Sequence, residues 1–172
     1  MFYNVYMTIW QKTLFVVGTV FVIFGVYLLL EPNLYFCHVQ DKRIDKASLY
    51  CLINKTRHKN GLQVIKPNVQ LEKAAELRAF DIVSYNYFSH QSIEGMSKGE
   101  VATKSGYNYK LIGEILARKF NNNKDIFNAW MKSASHSAVI LNPYYRDIGI
   151  TVLSSDKELG NDIVVVGLFG RL

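Results

Sequence analysis

Ser135-His136-Ser137-Ala138-Val139-Ile140-Leu141-Asn142-Pro143 runs, after Tyr144-Tyr145-Arg146, into Asp147-Ile148-Gly149-Ile150-Thr151-Val152-Leu153. The first part has the make-up of a short helix closed by Asn142-Pro143, and the second is an Ile/Val-rich strand. Asp162–Phe169 reads as a second strand of the same kind, with Ser154–Asn161 as a polar, hairpin-like turn between them. Upstream the pattern is mostly helical. Ile44–Asn60 carries an apolar face and stops at Asn60-Gly61, and Leu71 to about Tyr87 repeats apolar residues at three and four. Residues 97–105 suit a short helix ended by Gly106, and Asp125–Lys132 an amphipathic one, while Leu111–Lys119 reads as a strand. Helices early and strands late predict an α+β domain, with helices packed on a mainly antiparallel sheet.

The chain's 172 residues leave room for one domain and an added segment. That segment stands at the front. Between Lys12 and Glu31 lie 18 uncharged residues, Thr13 to Leu30, about 27 Å as a helix and close to the hydrocarbon thickness of a bilayer. A buried core helix and a cleaved signal peptide are the alternatives. The run is long for the first in a small domain, and it ends Leu28-Leu29-Leu30-Glu31-Pro32 without the small residues a cleavage site needs. We therefore expect residues 1–12 as a short flank, 13–30 as an uncleaved transmembrane anchor, 31–43 as a linker and 44–172 as the domain. Charge counting over the short flanks favours a cytoplasmic domain. Translocation of long domains largely regardless of charge favours the opposite side, and an extracytoplasmic domain on a single-pass cell-membrane protein is the expectation.

The net charge of +6 lies entirely after residue 40, because Lys12 and Glu31 cancel. Such a balance suits an anionic surface such as cell wall or lipid headgroups. No dense Lys/Arg cluster with interleaved aromatics is present, so nucleic acid is not an expected partner. Cys37 and Cys51 are too few for a disulfide-built miniprotein. In an oxidising compartment they would be able to pair; equally, they would stand as two thiols with Cys51 on the buried face of a helix. Asn54-Lys55-Thr56 matches a glycosylation acceptor but falls within a predicted helix.

Three residues are candidates for chemistry. His90 ends Tyr87-Phe88-Ser89-His90 just past the long helix, Glu114 interrupts the apolar strand Gly113-Glu114-Ile115-Leu116-Ala117, and His136 begins a short helix. A carboxylate in an apolar strand is costly unless paired or bound to a cation. Two imidazoles and one carboxylate make a zinc-type set with a position left open. On spacing alone, a structural histidine, a surface histidine and a Glu on the wet face of the sheet explain them as well. Glu94 and Glu100 read as solvated. His38 and His58 sit among polar neighbours, and Trp130, Phe127 and Tyr87 read as core.

The words around these residues add a resemblance. Tyr87-Phe88-Ser89-His90, Gly113-Glu114-x-Leu-Ala117, Ala129-Trp130-Met131, Ser135-His136-x-Ala138-Val139-Ile140-Leu141-Asn142-Pro143 and Ile148-Gly149-Ile150 stand in one order. Together they resemble the bacterial branch of the CAP superfamily, the SCP-domain proteins related to cysteine-rich secretory proteins, antigen 5 and pathogenesis-related proteins. Leu52-Ile53-Asn54-x-x-Arg57-x-x-Asn60-Gly61-Leu62 and Leu71-x-x-Ala74-Ala75 look like its first two helices. The resemblance covers about residues 47–170. It implies a three-layer α-β-α sandwich whose cleft holds His90, Glu114 and His136, with zinc or another divalent metal as a possible cofactor.

A second cleft glutamate found in many relatives is replaced here by Ser133. The Asn usual after the strand Glu is Ile115, and the residues flanking the second histidine are Ser135 and Ser137. The resemblance leaves function open, because one fold hosts many activities; the anchor and the +6 charge favour a binding module for a lipid, glycan or protein over an enzyme. The alternatives are a metal-assisted hydrolase of envelope or peptide substrates, with Ser133 or Ser135 assisting, and a structural or adhesive domain in which the trio only ties helices to the sheet.

Overall fold

The computed structural model describes residues 39–40, 43–93, 97–154 and 162–172. The expected anchor over 13–30, Cys37, His38, Glu94 and the turn between the last two strands lie outside the described residues. Among the described residues no helix is long and apolar enough to cross a membrane.

The elements run α1 (Lys46–Lys59), β1 (Lys66–Pro67), α2 (Val69–Ser84), α3 (Lys98–Lys104), β2 (Leu111–Arg118), α4 (Asn123–Lys132), α5 (Ala134–Ile140), β3 (Asp147–Ser154) and β4 (Ile163–Arg171). Each helix and strand predicted over 44–172 is present within a few residues of its expected ends. The two-residue β1 was not expected, because Pro67 lacks the N–H a longer ladder would need. The helix starts are capped by side chains. Asp45, Asn68, Ser97, Asn122 and Ser133 each accept a backbone N–H of the first turn, and Glu100 returns a bond to the Ser97 N–H in a capping box. α1 stops where Gly61 takes a left-handed φ of +68°.

The sheet order is β1-β3-β4-β2, with β1 parallel to β3 and the other pairs antiparallel. Strand alternation sorts the apolar side chains into two cores. Ile115, Ala117, Ile148, Ile150, Val165 and Phe169 face α1, α4 and α5 through Leu49, Ile53, Ile126, Trp130 and Ile140. Leu116, Val164, Val166 and Leu168 face α2 and α3 through Leu71, Ala75, Ile82 and Val101. The result is an α+β sandwich with helices on both faces of a mixed sheet. Trp130 is core, as expected, and its indole N–H donates to the Leu116 carbonyl at 2.9 Å.

Gly149 is where α2 meets the sheet most closely. A Cβ there would lie 2.1 Å from the Leu71 carbonyl carbon and 2.2 Å from the Glu72 nitrogen, so only glycine admits this contact.

Candidate functional site

β2 is the outer strand on its side of the sheet, and Glu114 points from it toward the α2 face. Its side chain is fully buried, and both carboxylate oxygens are taken. Arg78 Nε of α2 lies 3.2 Å from Oε2, and His90 Nδ1 lies 2.7 Å from Oε1. Burial of the carboxylate is tolerable only because a cation and a second hydrogen-bond partner meet it.

Arg78 is itself buried and distributes its five N–H groups among several acceptors. Besides Glu114 it donates to the Tyr87 hydroxyl at 2.7 Å, to the Ser89 carbonyl at 3.0 Å and to Asp81 at 3.3 Å. The Tyr87 hydroxyl donates onward to Asp81. Arg118 grips the same turn from the sheet side. It donates to the Tyr87 carbonyl at 3.2 Å and to Asn86 at 3.0 Å, and it pairs with Asp162 at 2.6 Å. The turn bearing His90 is thus held by two arginines, and His90 stands half-exposed at its end.

His136, in the first turn of α5, faces it with ring centroids 6.0 Å apart and planes tilted by 57°. Burial, and then the neighbouring His90, push the His136 pKa below its ordinary value, which favours the neutral imidazole. Ser133 Oγ caps α5 by accepting from the His136 N–H at 3.5 Å and lies 3.1 Å from Ser135 Oγ.

The structure therefore brings His90 into contact with Glu114 and sets His136 beside His90. Their arrangement is a relay: Arg78 to Glu114 to His90, with His136 opposite. With Oε1 and Oε2 engaged, Glu114 orients His90 from behind, and the nitrogens left to meet an ion belong to the two imidazoles. Among the described residues no group of three or more His, Cys, Asp or Glu side chains is arranged to hold a metal ion.

Arg78 was missed by the sequence reading. A signal was present: residue 78 falls four before Ile82, three after Ala75 and seven after Leu71, on the apolar seam of α2. Tyr87 packs against the core, as expected, but its hydroxyl also serves the site. Ile115, in the place of the usual Asn, points to the opposite face and is core. Asn54 is spent on structure, its side-chain amide exchanging two bonds with the Ile65 backbone at 3.0 and 2.9 Å. Cys51 is buried on α1 and is not a free thiol.

The model of the cysteine-rich secretory protein family matches residues 50–169. An uncharacterized protein of Bacillus subtilis, YkwD, is 34% identical over 104 residues, which are 60% of this chain and 40% of that one. This chain therefore spans less than half the length of that relative. Among solved structures, an outer surface protein of Borrelia burgdorferi superposes with a TM-score of 0.68 at 28% identity, covering 79% of this chain and 98% of that one. An extracellular SCP-domain protein of Bacillus anthracis superposes with a TM-score of 0.65 at 22% identity, covering 72% of this chain and 39% of that one, a likeness of fold.

Proposed function

This chain belongs to the cysteine-rich secretory protein (CAP) family, bacterial branch, and from that membership we propose that it is a membrane-tethered, extracytoplasmic binding module. Its recognition site is the cleft of His90, Glu114 and His136. The apolar run 13–30 supports the tether, and the surface and extracellular relatives support the placement.

The observation that carries the binding reading is the relay itself. Glu114 accepts at His90 Nδ1, so the tautomer that answers it carries its proton there and leaves Nε2 as an acceptor on a half-exposed ring. Opposite stands a second imidazole biased toward the neutral form. Below the rings one cation, Arg78, meets two carboxylates, Glu114 and Asp81, and all three are largely buried. The surface above them offers ring nitrogens as hydrogen-bonding groups. It suits a hydroxyl-rich ligand, a glycan of the envelope, better than a lipid tail or a highly charged protein. Should a divalent ion bind, His90 and His136 would hold it and Glu114 would fix the His90 ring. The ion would supply a Lewis-acidic centre for a ligand oxygen.

One observation favours a hydrolase as a second reading. The 2.7 Å contact of Glu114 with His90 is the orientation a general base requires. Against it, Ser133 is already engaged as a helix cap.

The test is titration of the full chain in detergent with soluble cell-wall glycan fragments, following the histidine ring resonances. We expect the His90 and His136 signals to shift together, and binding to be lost in His90→Ala with the fold intact. Ring signals that stay unmoved at saturation, with zinc or without it, refute the reading. Chelator-sensitive turnover of an ester or peptide that disappears in His90→Ala would establish the hydrolase instead.

A further inference from the structure

The helices on the two sides of the sheet finish their outer faces differently. α1 turns Lys55, His58 and Lys59 to solvent, and α4 turns Lys124, Asn128 and Lys132. α2 is apolar on both faces. Its inner seam, Leu71, Ala75, Ala79 and Ile82, is buried, while its outer stripe carries Val69, Leu77 and Phe80 at 79%, 47% and 64% exposure. With exposed Lys73 between them, these residues recur at four, four and three, on one line along the helix. Among the described residues no other helix bears an exposed large apolar side chain. A helix packed on a sheet needs only its inner face apolar, so the core does not account for the outer stripe.

The stripe widens toward the end of α2. There Leu77, Phe80 and Tyr85 share a hollow of about 210 Å³ with Val101 and Lys104 of α3. From Val69 to Phe80 the stripe runs about 17 Å, so a small molecule in the hollow would cover one end and leave the other in water. Rings beside lysines are the mixture found at the level of lipid headgroups. The rings enter the acyl boundary, and a lysine lays its methylenes on apolar surface while its ammonium meets phosphate. Glu76 is the acidic member of the face, and Lys73 and Lys104 leave the balance positive.

The chain itself keeps a bilayer within reach. Only residues 31–38 lie between the apolar run and the first described residue, a leash of at most about 29 Å when extended. A domain of this size has a radius of gyration of about 14 Å. Its surface therefore stays within roughly its own diameter of the headgroups, at an effective concentration that lets a weak contact fill.

We propose that the outer face of α2, with Val69, Lys73, Leu77, Phe80 and the neighbouring Tyr85, docks on the lipid bilayer that carries the tether. This rests on the tether reading above and adds a second contact to it. The domain lies against the headgroups on one defined side, with the apolar side chains in the interface and Lys73 and Lys104 at the level of the phosphates.

The experiment reconstitutes the full chain in vesicles of phosphatidylcholine with roughly one-third phosphatidylglycerol. The photoreactive residue para-benzoylphenylalanine replaces Phe80 in one variant, Leu77 in a second and Tyr144 in a third. Tyr144 is the control: at 60% exposure it matches Phe80, but it follows α5, whose layer lies across the sheet from α2. After irradiation, mass spectrometry should find lipid attached at positions 80 and 77 about fivefold or more above position 144. Equal lipid yields at 80 and 144 overturn the proposal. So does a cross-linked dimer as the main product at 80, which would assign the face to a second copy. A chain that alkaline carbonate washes off the vesicles refutes the tether and the docking face with it, whereas a retained chain without enrichment at 80 refutes the docking face alone.

Discussion

Arg57 and Arg78 are both completely buried, yet they are held in opposite ways. Arg57, on α1, meets no carboxylate among the described residues. It donates to the carbonyls of Gln63 at 2.9 Å, Ile140 at 2.7 Å, Asn142 at 2.8 Å and Tyr145 at 3.5 Å. It thereby closes the exit of α1 and the Asn142-Pro143 corner after α5. Burial, and then the nearby Arg146, push its pKa down. Arg78 faces Glu114 and Asp81; burial pulls its pKa down, but the attraction of Glu114, and then the hydrogen-bonded Tyr87, outweighs that and pushes it up. One buried cation is a clamp on backbone; the other is the base of a site. A buried charge therefore says nothing about function until its partners are known.

The sharpest contrast should come from removal and attempted rescue. Arg57→Ala leaves up to four carbonyls without their donor. We expect a loss of about 4 kcal/mol or more in urea unfolding, with no second side-chain substitution restoring it, because the partners are main chain. Arg78→Met strands a buried carboxylate and should cost roughly 3 kcal/mol. Here partial rescue is available: adding Glu114→Leu should restore about 1–2 kcal/mol, since an apolar pair of similar volume replaces the buried ion pair, while the Ser89 carbonyl and Asp81 stay without their donor. A double variant no more stable than Arg78→Met would break the comparison.

A smaller effect concerns pH. The folded His136 has its pKa lowered, so the unfolded chain takes up the proton first, near the ordinary value of 6.5. Stability should be flat above that pH and fall as pH drops through it toward the lower folded value. His136→Asn should flatten that limb of a chemical-denaturation series, and an unchanged slope would count against the burial of this ring. Smallest is the exposed pair Lys46–Glu72, at 2.8 Å with the Lys46 side chain 55% exposed. Lys46→Ala should cost less than about 1 kcal/mol in the same assay, showing that burial rather than pairing sets the scale for the arginines.

Much of this was legible in the chain. The Ile/Val runs at 147–153 and 162–169 and the spacing of Leu71, Ala75 and Ile82 located the sheet and its main helix, because alternation and periodicity report burial directly. The motif words brought His90, Glu114 and His136 forward. What spacing could not give was Arg78. Only the fold shows that its side chain reaches from α2 to Glu114 on β2, and a long-range ion pair leaves no local pattern. The strand order β1-β3-β4-β2 was equally hidden, because it is decided by tertiary packing and β1 is too short to announce itself.

The close approach at Gly149 carries this reasoning across the molecule. Helix α2 rests on that bare backbone at one end and carries Arg78 further along the same rod. The tolerance of the cleft is therefore machined on the far strand. A single methyl group at position 149 would jack the rod off its bearing, and the error would be read out at a carboxylate it never touches.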